Sequence, residues 1–222
     1  MDTVKWKSLS LFHVEYPIGD KFGKLLAYSS MMPILIMISL MTLVVSRRDL
    51  HTIFYLCGCL LNEISNCIFK SSINQPRPFP SVHPSIESSG MPSNHAQFMG
   101  FFCAYIVLFL YIRLNQKSFS RHLRVFILSL CITLTSVVCY SRVYLLYHTV
   151  SQVLVGLTIG GTFGIVWFLV IQYAITRHFP RICDSRIGQF LMLQDFTNIN
   201  NIMKFEYTAV QNHIRTKSVR PM

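Results

Sequence analysis

An all-α polytopic membrane bundle of about five helices is the fold class this sequence predicts, and three observations predict it. Of 222 residues, 52% are hydrophobic and only 13% charged, where soluble domains carry about a quarter charged residues. Mean hydropathy is +0.44. The apolar residues also gather into five runs: Leu26 to Val45, Thr52 to Phe69, Phe98 to Ile112, Val125 to Tyr140 and Val150 to Ala174. The third and fourth fall short of the ~20 residues a span needs, but uncharged neighbours extend both.

Taken in order, residues 1–25 form a polar N-terminal segment, 26–175 a membrane domain and 176–222 a polar tail. The first segment holds four lysines and three acids and lacks the apolar core and small-residue cleavage site of a secretory signal, so the first run is expected to be a retained anchor. "SRRDL" between the first two runs demands a tight antiparallel hairpin. The long connection runs from Ser71 to Met91. Six of the seven cysteines lie inside apolar runs and Cys183 stands alone in the tail, so they read as small core residues with no disulfide ladder and no metal pair.

The net charge of +11 comes from 20 basic residues against nine acids. In a membrane protein such an excess reads first as loop charge that sets topology. No helix or loop gathers a basic stripe interleaved with aromatics, so nucleic acid is not an expected partner. Membrane lipid is.

Chemistry enters where polar residues mark helix ends. Lys70 ends the second run, Ser93 to His95 open the third, Ser141 and Arg142 end the fourth, and His148 opens the fifth. With alternating spans, all four ends emerge on one side of the bilayer. The other side receives Arg47, Arg48, Arg113, Lys117, Arg121, Arg124, Arg177 and Arg181, which fit cytosolic anchors and place the polar ends toward the lumen or exterior. Lys5, Lys7, Lys21 and Lys24 oppose that orientation.

In "KSSINQPRP", Arg77 stands between Pro76 and Pro78, each fixing its own backbone and biasing its predecessor toward extended forms. A guanidinium so presented suits bidentate phosphate recognition, with Lys70 adding a point charge. The plain alternative is that Lys70 snorkels and Arg77 is loop charge. In "PSNHAQ" the serine suits a helix N-cap, and the first helical turn offers unpaired N–H groups to an anion. His95 in that turn could donate a proton. "SRVYLLYH" adds Arg142 and a second imidazole, His148. Two histidines, three cations and a helix N-terminus suit phosphoryl transfer, one imidazole attacking phosphorus and the other protonating the leaving oxygen, with no metal or other cofactor called for.

These three stretches resemble the signature of the type 2 phosphatidic acid phosphatase superfamily, whose usual forms are K-x6-RP, PSGH and SR-x5-H. "HVEYP", "GMPSNHAQFM", "SRVYLLYHTVSQV" and "FEYT" resemble the dolichyldiphosphatase family over most of the chain. The resemblance implies a multi-pass enzyme of the endoplasmic reticulum membrane, its site facing the lumen, that releases phosphate from dolichyl diphosphate and so recycles the lipid carrier of N-glycosylation. It makes His148 the nucleophile and His95 the acid, with Lys70, Arg77, Ser93, Asn94 and Arg142 holding phosphate.

Two departures stand out. Asn94 replaces the usual glycine, and Gln152 occupies the place four residues after His148 where the superfamily commonly has aspartate. An amide can orient an imidazole but brings no charge to stabilise an imidazolium. Glu63 is the candidate helper: an acid within a membrane run calls for a partner, and Asn62, Asn66 and Lys70 line up at i, i+4 spacing, consistent with a set that positions Lys70 or with a purely structural bond between helices. A broad lipid phosphate phosphatase and a non-catalytic lipid-phosphate binder remain alternatives. A channel would want polar groups at mid-membrane in several helices.

Overall fold

Apolar length dictates the architecture. In the computed structural model, which describes residues 6–9, 14–78, 89–113, 120–199 and 201–218, five helical spans are long and apolar enough to cross a bilayer. Lys5, Lys117 and residues 79–88 of the long connection lie outside the described residues. The first span, Lys21–Arg47, is broken in two. Helix α1 (Lys21–Ser29) starts where the Asp20 carboxylate accepts from Gly23 N at 2.8 Å, and α2 (Met32–Arg47) restarts after Ser30 and Met31 with Pro33 in its first turn, where the missing N–H costs nothing.

The expected hairpin follows. Arg48 takes a left-handed conformation (φ 53°), and Asp49 caps α3 (Leu50–Ile73) by accepting from Thr52 N at 2.9 Å. Helix α4 (Asn94–Leu108) runs on through a π-turn, Phe109–Arg113; α5 (Arg121–Tyr144) returns; α6 (Val150–Leu169) continues through a second π-turn, Val170–Ile175, into α7 (Phe179–Asp184). A short antiparallel hairpin, β1 (Trp6–Leu9) with β2 (Val14–Pro17), precedes the helices.

Residues after 176 are more ordered than a polar tail suggests. They form α8 (Arg186–Phe190) and α9 (Ile202–Ser218), and the backbone of Gln194 bonds Arg48 O at 2.9 Å and Leu50 N at 3.0 Å. Arg47 pairs with Glu206, and Arg113 donates to Thr197 Oγ1 at 2.9 Å. These arginines, expected as membrane anchors, also strap the tail, Arg47 to the α2–α3 turn and Arg113 to the end of α4.

Helices α4 and α6 pack backbone to backbone. Gly156, Gly160 and Gly164 recur every fourth residue on α6, so one face of that helix has no side chains. A Cβ at Gly156 would come within 2.6 Å of the Ser93 carbonyl and one at Gly164 within 2.7 Å of the Phe101 carbonyl; at Gly160 it would overlap the Gln97 carbonyl. Both helices begin on the same side of the bundle, so the seam fixes the relative height of their N-termini. Further down, Tyr55 stacks on Tyr105 at 4.2 Å in an aromatic core that includes Phe101 and Phe168.

A Cβ at Gly161, at the flank of this seam, would meet only the Gly100 oxygen, at 4.0 Å. Gly160→Ala should therefore cost about 3 kcal/mol or more, because a backbone carbonyl cannot rotate aside, whereas Gly161→Ala should stay within about 0.5 kcal/mol. Thermal unfolding of the two variants in detergent measures the contrast.

Candidate active site

The four polar helix ends expected to share a membrane face do so. His95, in the first turn of α4, lies within electrostatic range of His148, Arg142 and Lys70, with its ring toward the Ser30 carbonyl. Lys70, near the end of α3, lies close to Arg77, Arg142 and Glu63. Arg77 Nη1 donates to the Tyr147 carbonyl at 3.2 Å, which ties the proline-flanked stalk to the α5–α6 turn.

The two helix N-termini at this face differ. Helix α6 is closed: Thr149 Oγ1 accepts from Gln152 N at 3.3 Å and Gln152 Oε1 accepts from Thr149 N at 3.2 Å, a reciprocal capping box. Helix α4 is left open. Ser93 occupies its N-cap position, yet the hydroxyl makes no capping bond and, fully buried, has no partner among the described residues. The unfilled donors of that first turn and a buried hydroxyl thus sit in the turn whose His95 lies within electrostatic range of Arg142 and Lys70, an arrangement suited to an anion.

His148 lies in the turn before Thr149 rather than inside α6. Its Nδ1 donates to the Gly90 carbonyl at 2.9 Å, and Gln152 Oε1 stands 3.3 Å from the same nitrogen. Gln152 Nε2 in turn donates to the Pro76 carbonyl at 3.1 Å. With the proton held on Nδ1, Nε2 carries the lone pair. Burial, reinforced by the Arg142 and Arg77 cations, pulls the His148 pKa down to about 3, so the imidazole is neutral throughout the physiological range.

Glu63 lies against the Asn94 side chain and near Lys70. The group that orients His148 is a backbone carbonyl, at Gly90, with the glutamine second. A Cβ at residue 90 would come within 2.8 Å of the Gln152 amide and 3.0 Å of the Pro76 carbonyl, so glycine permits this close approach. Asn62 and Asn66 make their bonds across to α4. They hold Gln97 of α4: Asn66 Nδ2 donates to Gln97 Oε1 at 2.8 Å, and Gln97 Nε2 donates to the Asn62 carbonyl at 3.1 Å.

Arg142 is 5% exposed and has no carboxylate partner among the described residues. Its Nη1 donates to Ser30 Oγ at 3.2 Å, its Nε is unpartnered, and its guanidinium lies 4.0 Å from the centroid of the Tyr147 ring. Tyr147 OH accepts from Glu15 N at 2.8 Å, so strand β2 helps to fix that ring. Gly90, Ser30, Tyr147 and Gln97 were not singled out from the sequence. Only the pairing of Thr149 with Gln152 had a local signature there.

The family model for the PAP2 superfamily matches residues 51–176, and the chain belongs to that superfamily. Within it, the chain is 43% identical over 217 residues to Dolichyldiphosphatase 1 of Homo sapiens, spanning 96% of this chain and 91% of that protein. It is 36% identical to Lipid phosphate phosphatase gamma of Arabidopsis thaliana, over 90% and 89% of the two chains. The fold is similar to that of a PAP2-type phosphatidylglycerolphosphate phosphatase from Bacillus subtilis, with a TM-score of 0.57 at 19% identity, covering 71% of this chain and 80% of that one.

Two measurements bear on this geometry. A histidine whose folded pKa is depressed to about 3 stays neutral well below pH 6.5, so imidazole NMR of the ligand-free protein should show His148 uncharged at pH 5, where an ordinary histidine is protonated. Tyr147→Ala should lower kcat/KM for a phosphate substrate about tenfold by releasing Arg142, while Tyr147→Phe keeps the stacked ring and most of the activity.

Proposed function

We propose that the chain hydrolyses dolichyl diphosphate to dolichyl phosphate and inorganic phosphate through a phosphohistidine at His148. The observation that carries this reading is the His148 ring itself, whose Nδ1 is occupied by the Gly90 carbonyl at 2.9 Å. That leaves an unprotonated Nε2 beside three cations and an open helix N-terminus.

In this mechanism the terminal phosphoryl group is held by Lys70, Arg77 and Arg142, with the Ser93 hydroxyl and the amide of Asn94 completing the cradle. Nε2 of His148 attacks the β-phosphorus, and the P–O bond to the bridging oxygen breaks. His95 supplies the proton to the departing dolichyl phosphate. Water then attacks the phosphohistidine with His95 taking its proton; the P–N bond breaks, phosphate leaves and His148 is restored. The fixed cations offset the charge on the equatorial oxygens, the task that metal ions perform in other phosphoryl-transfer enzymes.

Gln152 acts as a positioning residue, tying His148 to Pro76 and hence to the stalk that bears Arg77. Glu63, beside Lys70 and Asn94, sets the direction of the ammonium. Likeness to Dolichyldiphosphatase 1 over nearly the whole chain supports dolichyl diphosphate as substrate. It supports a place in the endoplasmic reticulum membrane and in carrier recycling for N-glycosylation as well. Arg47, Arg113, Arg121 and Arg177 at the far ends of the helices support a lumenal site and a cytosolic tail. A broader lipid phosphate phosphatase is the second reading, favoured by the likeness to Lipid phosphate phosphatase gamma.

A substrate panel separates the two. Purified protein in detergent with chelator present should release phosphate from dolichyl diphosphate and prefer it to phosphatidate, and His148→Ala should lower kcat at least about a thousandfold. Equal turnover of phosphatidate would favour the broader enzyme; an unchanged rate in the variant would refute the phosphohistidine.

A further inference from the structure

The first span reaches the phosphate cradle at Ser30, which lies in the break between α1 and α2 and is buried. Its hydroxyl accepts from Arg142 Nη1 at 3.2 Å and lies 2.9 Å from Ser141 Oγ. Ser141 gives its own hydroxyl proton to the Val138 carbonyl at 2.7 Å. Ser30 is therefore the donor between the two serines and presents a lone pair to the guanidinium.

The break supplies a second contact. Pro33 has no N–H, and its ring crowds the carbonyl four residues back, so a continuous helix cannot run through this point. The next two amides, Ile34 N and Leu35 N, both bond the Met31 carbonyl, at 3.1 and 3.2 Å. In an unbroken helix Ile34 N would take the Ser30 carbonyl; here that oxygen faces the ring of His95 instead. A carbonyl in that place holds the facing ring nitrogen as N–H and leaves the other nitrogen to give and take the transferred proton. Helix α1 is held at this height by Tyr144 OH, which donates to Asp20 Oδ2 at 2.9 Å, and by the buried cluster of Leu26, Ala27, Leu145 and Tyr147.

Resting on the function proposed above, we infer that Ser30 is a positioning residue for the reaction: its hydroxyl aims Arg142 at the phosphoryl group, and its carbonyl aims His95 at the leaving oxygen. One residue thereby sets the spacing between a phosphate holder and the proton donor. Ser30 lies outside residues 51–176, the part of the chain that the family model matches. The first span is thus part of the catalytic unit as well as an anchor.

Substitutions in the break test this. Ser30→Ala removes the hydroxyl and keeps the carbonyl, so it should raise both KM for dolichyl diphosphate and Ki for inorganic phosphate about tenfold while kcat changes by less than about twofold. Ser30→Cys, close in volume but a weaker acceptor, should shift both constants the same way. Ser29→Ala loses a hydroxyl that donates to the Leu26 carbonyl at 2.7 Å and should leave them unchanged. A variant that merely folded less well would lose kcat and keep its Ki. Pro33→Ala, which lets the helix run through the break, should lower kcat about fivefold by withdrawing the Ser30 carbonyl from His95. An unchanged Ki in both Ser30 variants, or an equal rise in Ser29→Ala, would overturn the role of the hydroxyl, and an unchanged kcat in Pro33→Ala that of the carbonyl. Inactivity of the unmodified protein toward dolichyl diphosphate would instead count against the reaction.

Discussion

The close approach of α4 and α6 is the constraint on which the rest depends. Three glycines on α6 let two parallel backbones meet, and in a bilayer, where apolar burial gives helices little reason to associate, such close packing is a principal cohesive force. Because both helices start at the same face, the seam brings the Ser93 turn beside the His148 turn: Ser93 N donates to the Gln152 carbonyl at 3.2 Å. The Asn62, Asn66 and Gln97 bonds hold α3 to this pair and so set the height of Lys70.

The site is built as an incomplete electrostatic structure. Arg142 is buried against a hydroxyl and an aromatic face, neither of which neutralises it, and a buried cation without a counter-charge is costly. The open first turn of α4 and the unpartnered Ser93 hydroxyl point the same way. An anion bound there, as the proposed reaction requires, would satisfy all of them at once. The neighbouring α6 terminus, closed by its own Thr149 and Gln152, does not compete for it.

Much of this was legible from the sequence because alternating spans impose a strict rule on which helix ends share a face. Lys70, His95, Arg142 and His148 could be placed together without coordinates for that reason. What escaped depended on the paths of connections. The carbonyl of Gly90 reaches His148 where the described ends of the long connection meet, Gly90 N bonding Gln75 O at 2.7 Å, and no local pattern announces such a meeting. For Glu63, an acid in an apolar run shows that it needs a partner but does not reveal that Asn94 is one. The spacing of Gly156, Gly160 and Gly164 was visible in the letters, yet its meaning depends on what α4 presents to it.

The seam also has a consequence for how the molecule comes into being. Helices α4 and α6 are partners in space but are separated in the chain by the whole of α5. A nascent chain that has inserted only its first four spans holds Lys70, Arg77, His95 and Arg142 but neither His148 nor the glycine face against which α4 packs. Chemistry arrives with the last span, and not gradually. Pairing across an intervening segment is non-local, so the α4–α6 seam can close only once the last span is in place.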